Sequence, residues 1–280
     1  MDIKKWRVPI LLCLFCFELY FMFGILGQNS NLLEVSFLDV GQGDATFIKS
    51  PSGFNMLVDT GVSDRVFGEI SKRLPFYSKK IDILVLTHPD LDHIGKAPKI
   101  IKRFDVGKII LSGDFNDSDS DKAVYLEARK KNIEIIYARR GQGIVFPDGL
   151  SALVLFPDRD AEKFESNTAS IGLKVSYGEV NFILTGDMPS AVEKYLTGLD
   201  KNLLDSEVLK AGHHGSKTSS NKEFVNMVSP LYSIISAGKD NRYGHPHKEA
   251  LDNLSVSTIL GTYDLGTITF KTDGVNLYLK

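Results

Sequence analysis

The chain has 280 residues, with 33 lysines and arginines against 35 aspartates and glutamates, a formal net charge of −2, and 43% hydrophobic residues. That length suits one large domain or two small ones, and the balanced charge excludes a strongly basic protein that coats nucleic acid by charge alone. A nucleic-acid substrate stays open, because bound metal ions can supply positive charge at a phosphate.

The N-terminus departs from this average. Lys4, Lys5 and Arg7 flank an apolar run over 8–27 whose only charge is Glu18. About 20 helical residues at 1.5 Å each match a hydrocarbon core of ~30 Å. The expectation is a single-pass membrane anchor and linker over 1–30, with a domain over 31–280 on the extracytoplasmic side, as the positive flank dictates. Secretion after cleavage of a signal peptide is the rival reading. Both cysteines, Cys13 and Cys16, lie in the apolar run, so the domain carries no disulfide.

After the polar linker at 28–31, strands and helices alternate. Strands are expected over 33–38 and 45–48, around the turn Gly41-Gln42-Gly43-Asp44, and over 55–59 after the turn Ser50-Pro51-Ser52-Gly53. A helix near 64–74 and a β-branched strand at 83–87 lead to His88–His93 and then a helix near 96–104. Strands at 109–111 and 134–137 flank a helix at 121–131. Further strands follow at 144–146, 153–156, 172–177 and 180–185, the last two joined by the tight turn Gly178-Glu179. A helix over 189–196 begins near Pro189. Strands at 208–211 and 232–237 and a closing hairpin over 267–270 and 275–279 complete the chain.

All six histidines fall in three clusters: His88 and His93, His213 and His214, His245 and His247. In His88-Pro89-Asp90-Leu91-Asp92-His93, four potential ligands share six positions. Imidazole nitrogen and carboxylate oxygen suit zinc, manganese or iron. A solvated loop with Asp92 capping the next helix is the bland alternative. Asp59, His88, Asp187, His213 and His245 all come at or soon after strand ends. Loops at one sheet edge can bring such residues into one pocket.

Several segments together carry a family resemblance: Leu38-Asp39-Val40-Gly41-Gln42-Gly43-Asp44, Thr87 through Gly95, Leu184-Thr185-Gly186-Asp187, Leu209 through Ser216, and Gly244-His245-Pro246. With them the chain resembles the metallo-β-lactamase superfamily, and within it the hydrolase domain of ComEC-type competence proteins. The resemblance implies an α/β fold, the αββα four-layer sandwich, and two divalent ions, zinc or manganese. His88, Asp90 and Asp187 would hold one ion. Asp92, His93, Asp187 and a later histidine, His214 or His245, would hold the other. His213 is assigned either to supporting a ligand from behind or to substrate contact, because adjacent loop residues do not easily face one ion; His247 is peripheral. Asp59 would accept the outer N–H of a ligand imidazole. Asp39 and Asp44 flank the glycine turn and serve either the site or the turn itself.

Two departures from the family pattern stand out. Asp90 occupies the place of a second histidine, and no histidine lies between His93 and His213, a gap in which Asn167 or Ser170 is the nearest candidate. The expected activity is a metal-dependent phosphodiesterase or nuclease acting on extracytoplasmic DNA in competence-related uptake. Asp92, His213 and His245 are the expected catalytic residues. Lys210, Lys217 and Arg242, with Lys239 and Lys248, would track a phosphate backbone. The alternatives are hydrolysis of a phosphorylcholine ester, lactone or β-lactam, and a non-catalytic metal-stabilised domain that binds DNA or a competence partner.

Overall fold

The computed structural model describes residues 7–26, 32–199 and 201–280. Strands β1 (Leu33–Phe37), β2 (Thr46–Lys49), β3 (Asn55–Val58), β4 (Lys80–Leu86), β5 (Asp105–Leu111) and β6 (Glu134–Tyr137) build a first sheet. A second sheet holds β7 (Gly143–Val145), β8 (Ser151–Phe156), β9 (Gly172–Tyr177), β10 (Val180–Leu184), β11 (Val208–Lys210), β12 (Tyr232–Ile235) and β13 (Thr258–Gly261). The chain then returns to the first sheet, where β14 (Ile268–Thr272) pairs with β1 and β15 (Leu277–Leu279) with β14.

Each sheet is part antiparallel and part parallel. The parallel runs are β3-β4-β5-β6 and β10-β11-β12-β13. Parallel neighbours need crossover connections, which helices supply. The first sheet uses α2 (Arg65–Ser71), α3 (Leu91–Ile94), α4 (Ala97–Arg103) and α5 (Asp119–Lys130). The second uses α6 (Ser190–Leu199), α7 (Lys222–Val228) and α8 (Lys248–Leu254), followed by the short α9 (Thr262–Leu265).

Three apolar layers hold this together. Between the sheets lie Phe37, Phe182, Ile234 and Phe270, with Phe270 edge-on to both Phe37 and Phe182 at 6.3 Å. Leu57, Ile70, Ile100 and Val124 fill the space between the first sheet and its helices. Ile183, Leu196, Phe224 and Leu254 do the same for the second. On β3 the alternation is explicit: Met56 and Val58 face the other sheet, and Leu57 between them faces the helices. Each such side chain, once buried, contributes about 1.5–3 kcal/mol. The layers therefore run helix, sheet, sheet, helix, as expected.

The N-terminal expectation is corrected. Helix α1 covers Arg7–Leu26, but among the described residues no helix is long and apolar enough to cross a membrane. Helix α1 contains Glu18, and its Phe21 packs edge-on against Phe76 of the domain at 6.2 Å. The single-pass anchor is thereby overturned, together with the extracytoplasmic placement built on it. The basic flank at Lys4 and Lys5 and the linker at 28–31 lie outside the described residues.

Candidate metal centre

The parallel strands set the position of the site. Asp59 follows β3, His88 and α3 follow β4, Asp187 follows β10, and His213 and His214 follow β11. Loops at the C-terminal ends of parallel strands share one edge, and stacking the two sheets brings the two edges together.

Each imidazole is fixed from behind. Asp59 has a left-handed backbone, φ 60°, and accepts 2.8 Å bonds from both the backbone N–H and the hydroxyl of Thr87. So anchored, its Oδ2 lies 2.8 Å from His93 Nδ1. The other ring nitrogen, Nε2, then faces Asp187 Oδ1 at 3.1 Å. His214 is held through Nδ1, which donates to the Ser236 carbonyl at 2.9 Å and lies 3.2 Å from Asp44 Oδ1. Its Nε2 faces Asp92 Oδ2 at 3.2 Å and Asp187 Oδ2 at 3.5 Å. His88 has only hydroxyls behind Nδ1: Thr87 at 3.1 Å and Ser170 at 3.3 Å. Its Nε2 is 3.7 Å from Asp90 Oδ2, and Ser166 donates to Asp90 Oδ1 at 2.6 Å. Asp90, not Asp92, precedes α3, and it makes no cap bond, so its carboxylate stays in the pocket.

His213 and His214 behave differently from expectation. Both take left-handed backbone conformations, φ 48° and 55°. That turn brings both Nε2 atoms to Asp187 Oδ2, at 3.7 Å from His213 and 3.5 Å from His214. Adjacent residues thus do converge on one carboxylate.

Asp44, His93, Asp187 and His214 are all buried and offer ligand atoms within 4.8 Å of one another. Asp44 meets the rings at their Nδ1 edges and is ion-paired with the buried Lys210. The Nε2 edges converge instead on Asp187 and Asp92. His88 Nε2, His93 Nε2 and Asp187 Oδ1 are buried and lack a hydrogen-bond partner. The 3.1 Å approach of His93 to Asp187 is therefore close but misaligned for a proton. Leaving such groups unpaired costs about 1–3 kcal/mol each. A divalent cation satisfies nitrogen and carboxylate donors together, so these residues fit one.

The electrostatics agree with that fit. Burial alone would lower the pKa of His93 and His214. The carboxylates of Asp187 and Asp59 override it at His93 and raise that group well above the ordinary histidine value. Asp187 and Asp44 push His214 up to about 10. Burial would raise Asp187, but His214 and His93 hold it well below the carboxylate range. His245 goes the other way, to about 4, through burial and the neighbouring His214 and His213.

The remaining expected residues fall in three places. His245 stands at the rim, its ring 5.6 Å from His213 and 6.2 Å from His214, stacked on Tyr243 at 5.7 Å. Lys217 and Arg242 are exposed, and Arg242 lies over the Tyr243 ring at 4.9 Å. Lys210 is 2% exposed and committed to Asp44, which withdraws it from any surface path for a phosphate chain. His247 sits at the N-cap position of α8 without a side-chain cap bond and accepts from the Lys217 N–H at 3.2 Å, its ring 4.8 Å from that of His245. Asp39 accepts from the Gly41 N–H and pairs with Arg65, a plain turn role. Ser170 does reach the pocket, bridging His88 Nδ1 and the Asp187 N–H. Sequence reasoning missed Thr87, Ser166, Ser236 and the Asp44–Lys210 pair.

Comparison with known proteins follows the same line. Residues 38–239 match the profile of the metallo-beta-lactamase superfamily. The chain is 33% identical over 275 residues to ComE operon protein 3 of Bacillus subtilis, covering 91% of this chain and 35% of that protein. It is 32% identical over 224 residues to competence protein ComA of Neisseria gonorrhoeae, covering 80% of this chain and 29% of that protein. It therefore spans about a third of the length of these curated relatives. Among solved structures, the metallo-beta-lactamase fold protein YhfI of Bacillus subtilis superposes with a TM-score of 0.56 at 11% identity, covering 86% of this chain and 100% of that one. With its helix-sheet-sheet-helix layers and buried histidine–aspartate pocket, the chain belongs to the metallo-β-lactamase superfamily of metal-dependent hydrolases and is homologous to competence proteins.

Proposed function

We propose that this chain is a phosphodiesterase or nuclease that acts on DNA, with two divalent ions, zinc or manganese, as cofactors. The observation that carries the reading is the set of buried, hydrogen-bond-orphaned donors on His88, His93 and Asp187 at one sheet edge. Ions held there would supply Lewis-acid charge for a phosphoryl oxygen and an activated water at neutral pH. His88 and Asp90 would hold one ion, Asp92, His93 and His214 would hold the other, and Asp187 would be available to both. Asp59 keeps the His93 proton on Nδ1 and Nε2 free. Asp44, backed by Lys210, does the same for His214. His213 and His245 stand on the rim, placed for substrate contact; with His245 lowered to about 4, its imidazole is neutral there and would accept a hydrogen bond rather than supply a proton. Lys217 and Arg242 lie exposed beside them for phosphate contact. The names of the relatives support a role in competence-related DNA uptake, with partners in that machinery.

The test uses the full chain, freed of metal by chelation and reloaded with zinc or manganese. Hydrolysis of bis(p-nitrophenyl) phosphate and of DNA should appear on reloading and vanish with chelator. No metal-dependent hydrolysis of either would refute the proposal.

A further inference from the structure

The sheet edge that carries His88 continues past it. Leu86 on β4, Leu111 on β5 and Tyr137 on β6 are in register on parallel strands. The segments 113–116 and 137–139 therefore lie along the same edge as His88. Between them and α5 opens a cleft of about 630 Å³. Two of its walls are large exposed rings, Phe115 at 46% and Tyr137 at 47% exposure. Tyr125 backs Phe115 edge-on at 5.6 Å. Lys122 and Arg139 line the same cleft, and Arg139 pairs with Asp160 at 3.0 Å. The cleft is tied to the centre: Asn116 Nδ2 donates to the Pro89 carbonyl at 2.8 Å, one residue from His88.

Single exposed aromatics are ordinary, but two converging in one concavity are not. Both cations are already paired, Arg139 with Asp160 and Lys122 with Asp117, so charge alone does not define the ligand. Flat rings beside a phosphodiester centre suit nucleobases, which stack on aromatic faces whatever their sequence. From β4 to β6 is two strand spacings, about 10 Å. That is the reach of a few nucleotides at about 3.4 Å each along one strand.

We infer that this cleft is a base-stacking subsite for single-stranded nucleic acid, seating the bases of a strand whose phosphodiester enters the centre at His88. It rests on the phosphodiesterase reading for its placement. Duplex ends keep their bases stacked on one another and gain little from it, so the subsite favours single strands.

The experiment measures binding of a fluorescein-labelled oligothymidylate by anisotropy, in chelator so that nothing is cut. The double variant Phe115→Ala/Tyr137→Ala should bind about ten-fold or more weakly, since each lost stack is worth that much. Phe115→Trp should bind as the unaltered protein does. Hydrolysis of bis(p-nitrophenyl) phosphate, which has no base, should be the same in all three once metal is restored. Unchanged oligothymidylate affinity in the double variant overturns the subsite, and so does an equal loss of the small-diester activity, which would mean a damaged fold. Binding that depends on Phe115 and Tyr137 in a protein that cleaves no diester upholds the subsite and sinks only the phosphodiesterase reading.

Discussion

The two sides of the pocket are built to different standards. His93 is backed by a carboxylate, Asp59, which is itself gripped twice by Thr87. His214 is backed by the Ser236 carbonyl and by Asp44, with Lys210 behind that. His88 has two hydroxyls at 3.1 and 3.3 Å, and its companion Asp90 is held by a single serine. A carboxylate behind an imidazole fixes its tautomer and strengthens it as a donor; a hydroxyl does much less. The residues behind the candidate ligands, more than those ligands themselves, would make one side the stronger and the other the weaker.

Asp187 is the element the two sides share, so altering it should have the largest effect. Asp187→Asn should bring metal content to background by atomic emission and cut bis(p-nitrophenyl) phosphate hydrolysis about 100-fold or more. Half the metal retained would mean the sides do not share that carboxylate. Asp59→Asn acts on the strong side alone. Metal titrations should show the tighter equivalent weakened about 10–100-fold, with the looser one unmoved.

Proton release sharpens the same contrast. His214, raised to about 10 when folded against an ordinary ~6.5, stabilises the metal-free protein fully below pH ~6.5. That contribution fades as the pH climbs through about 10. Binding a cation must expel this proton, so affinity at the strong side should rise about ten-fold per pH unit per proton between pH 7 and 9. Calorimetry in buffers of different ionisation enthalpy would reveal it; heats that do not depend on buffer would count against a strong side that includes His214. The smallest effect belongs to His88→Ala, which should weaken the looser equivalent about ten-fold or less and spare the tighter one. Equal loss of both equivalents would erase the distinction.

What the sequence disclosed was governed by spacing. Four potential ligands in six residues from His88 to His93, and a glycine before Asp187 at a strand end, are local signals. Alternation and turn residues gave most strands, while the layered fold came from the family resemblance. The supports were hidden because they carry no spacing: Thr87 and Ser170 are single hydroxyls, and Asp44 meets Lys210 only through the stacking of two sheets. Lys210 in particular looked like a surface cation, because charge in a sequence says nothing of burial. The helices α7, α8 and α9 went unnoticed, and so did β13, where Ser255-Val256-Ser257-Thr258 mixes strand and turn residues. The N-terminal run misled for a plainer reason, apolar composition being read as a span.

The paired left-handed residues at His213 and His214 leave the protein with a standing trade. Mirror-type backbone angles cost an L-residue about 1–2 kcal/mol each, and glycine would occupy them freely. Selection for robustness alone would drift towards smaller residues at this bend. That two bulky rings stand there instead marks the bend as a place where durability is surrendered to aim, and where heat tolerance and turnover should be hardest to improve together.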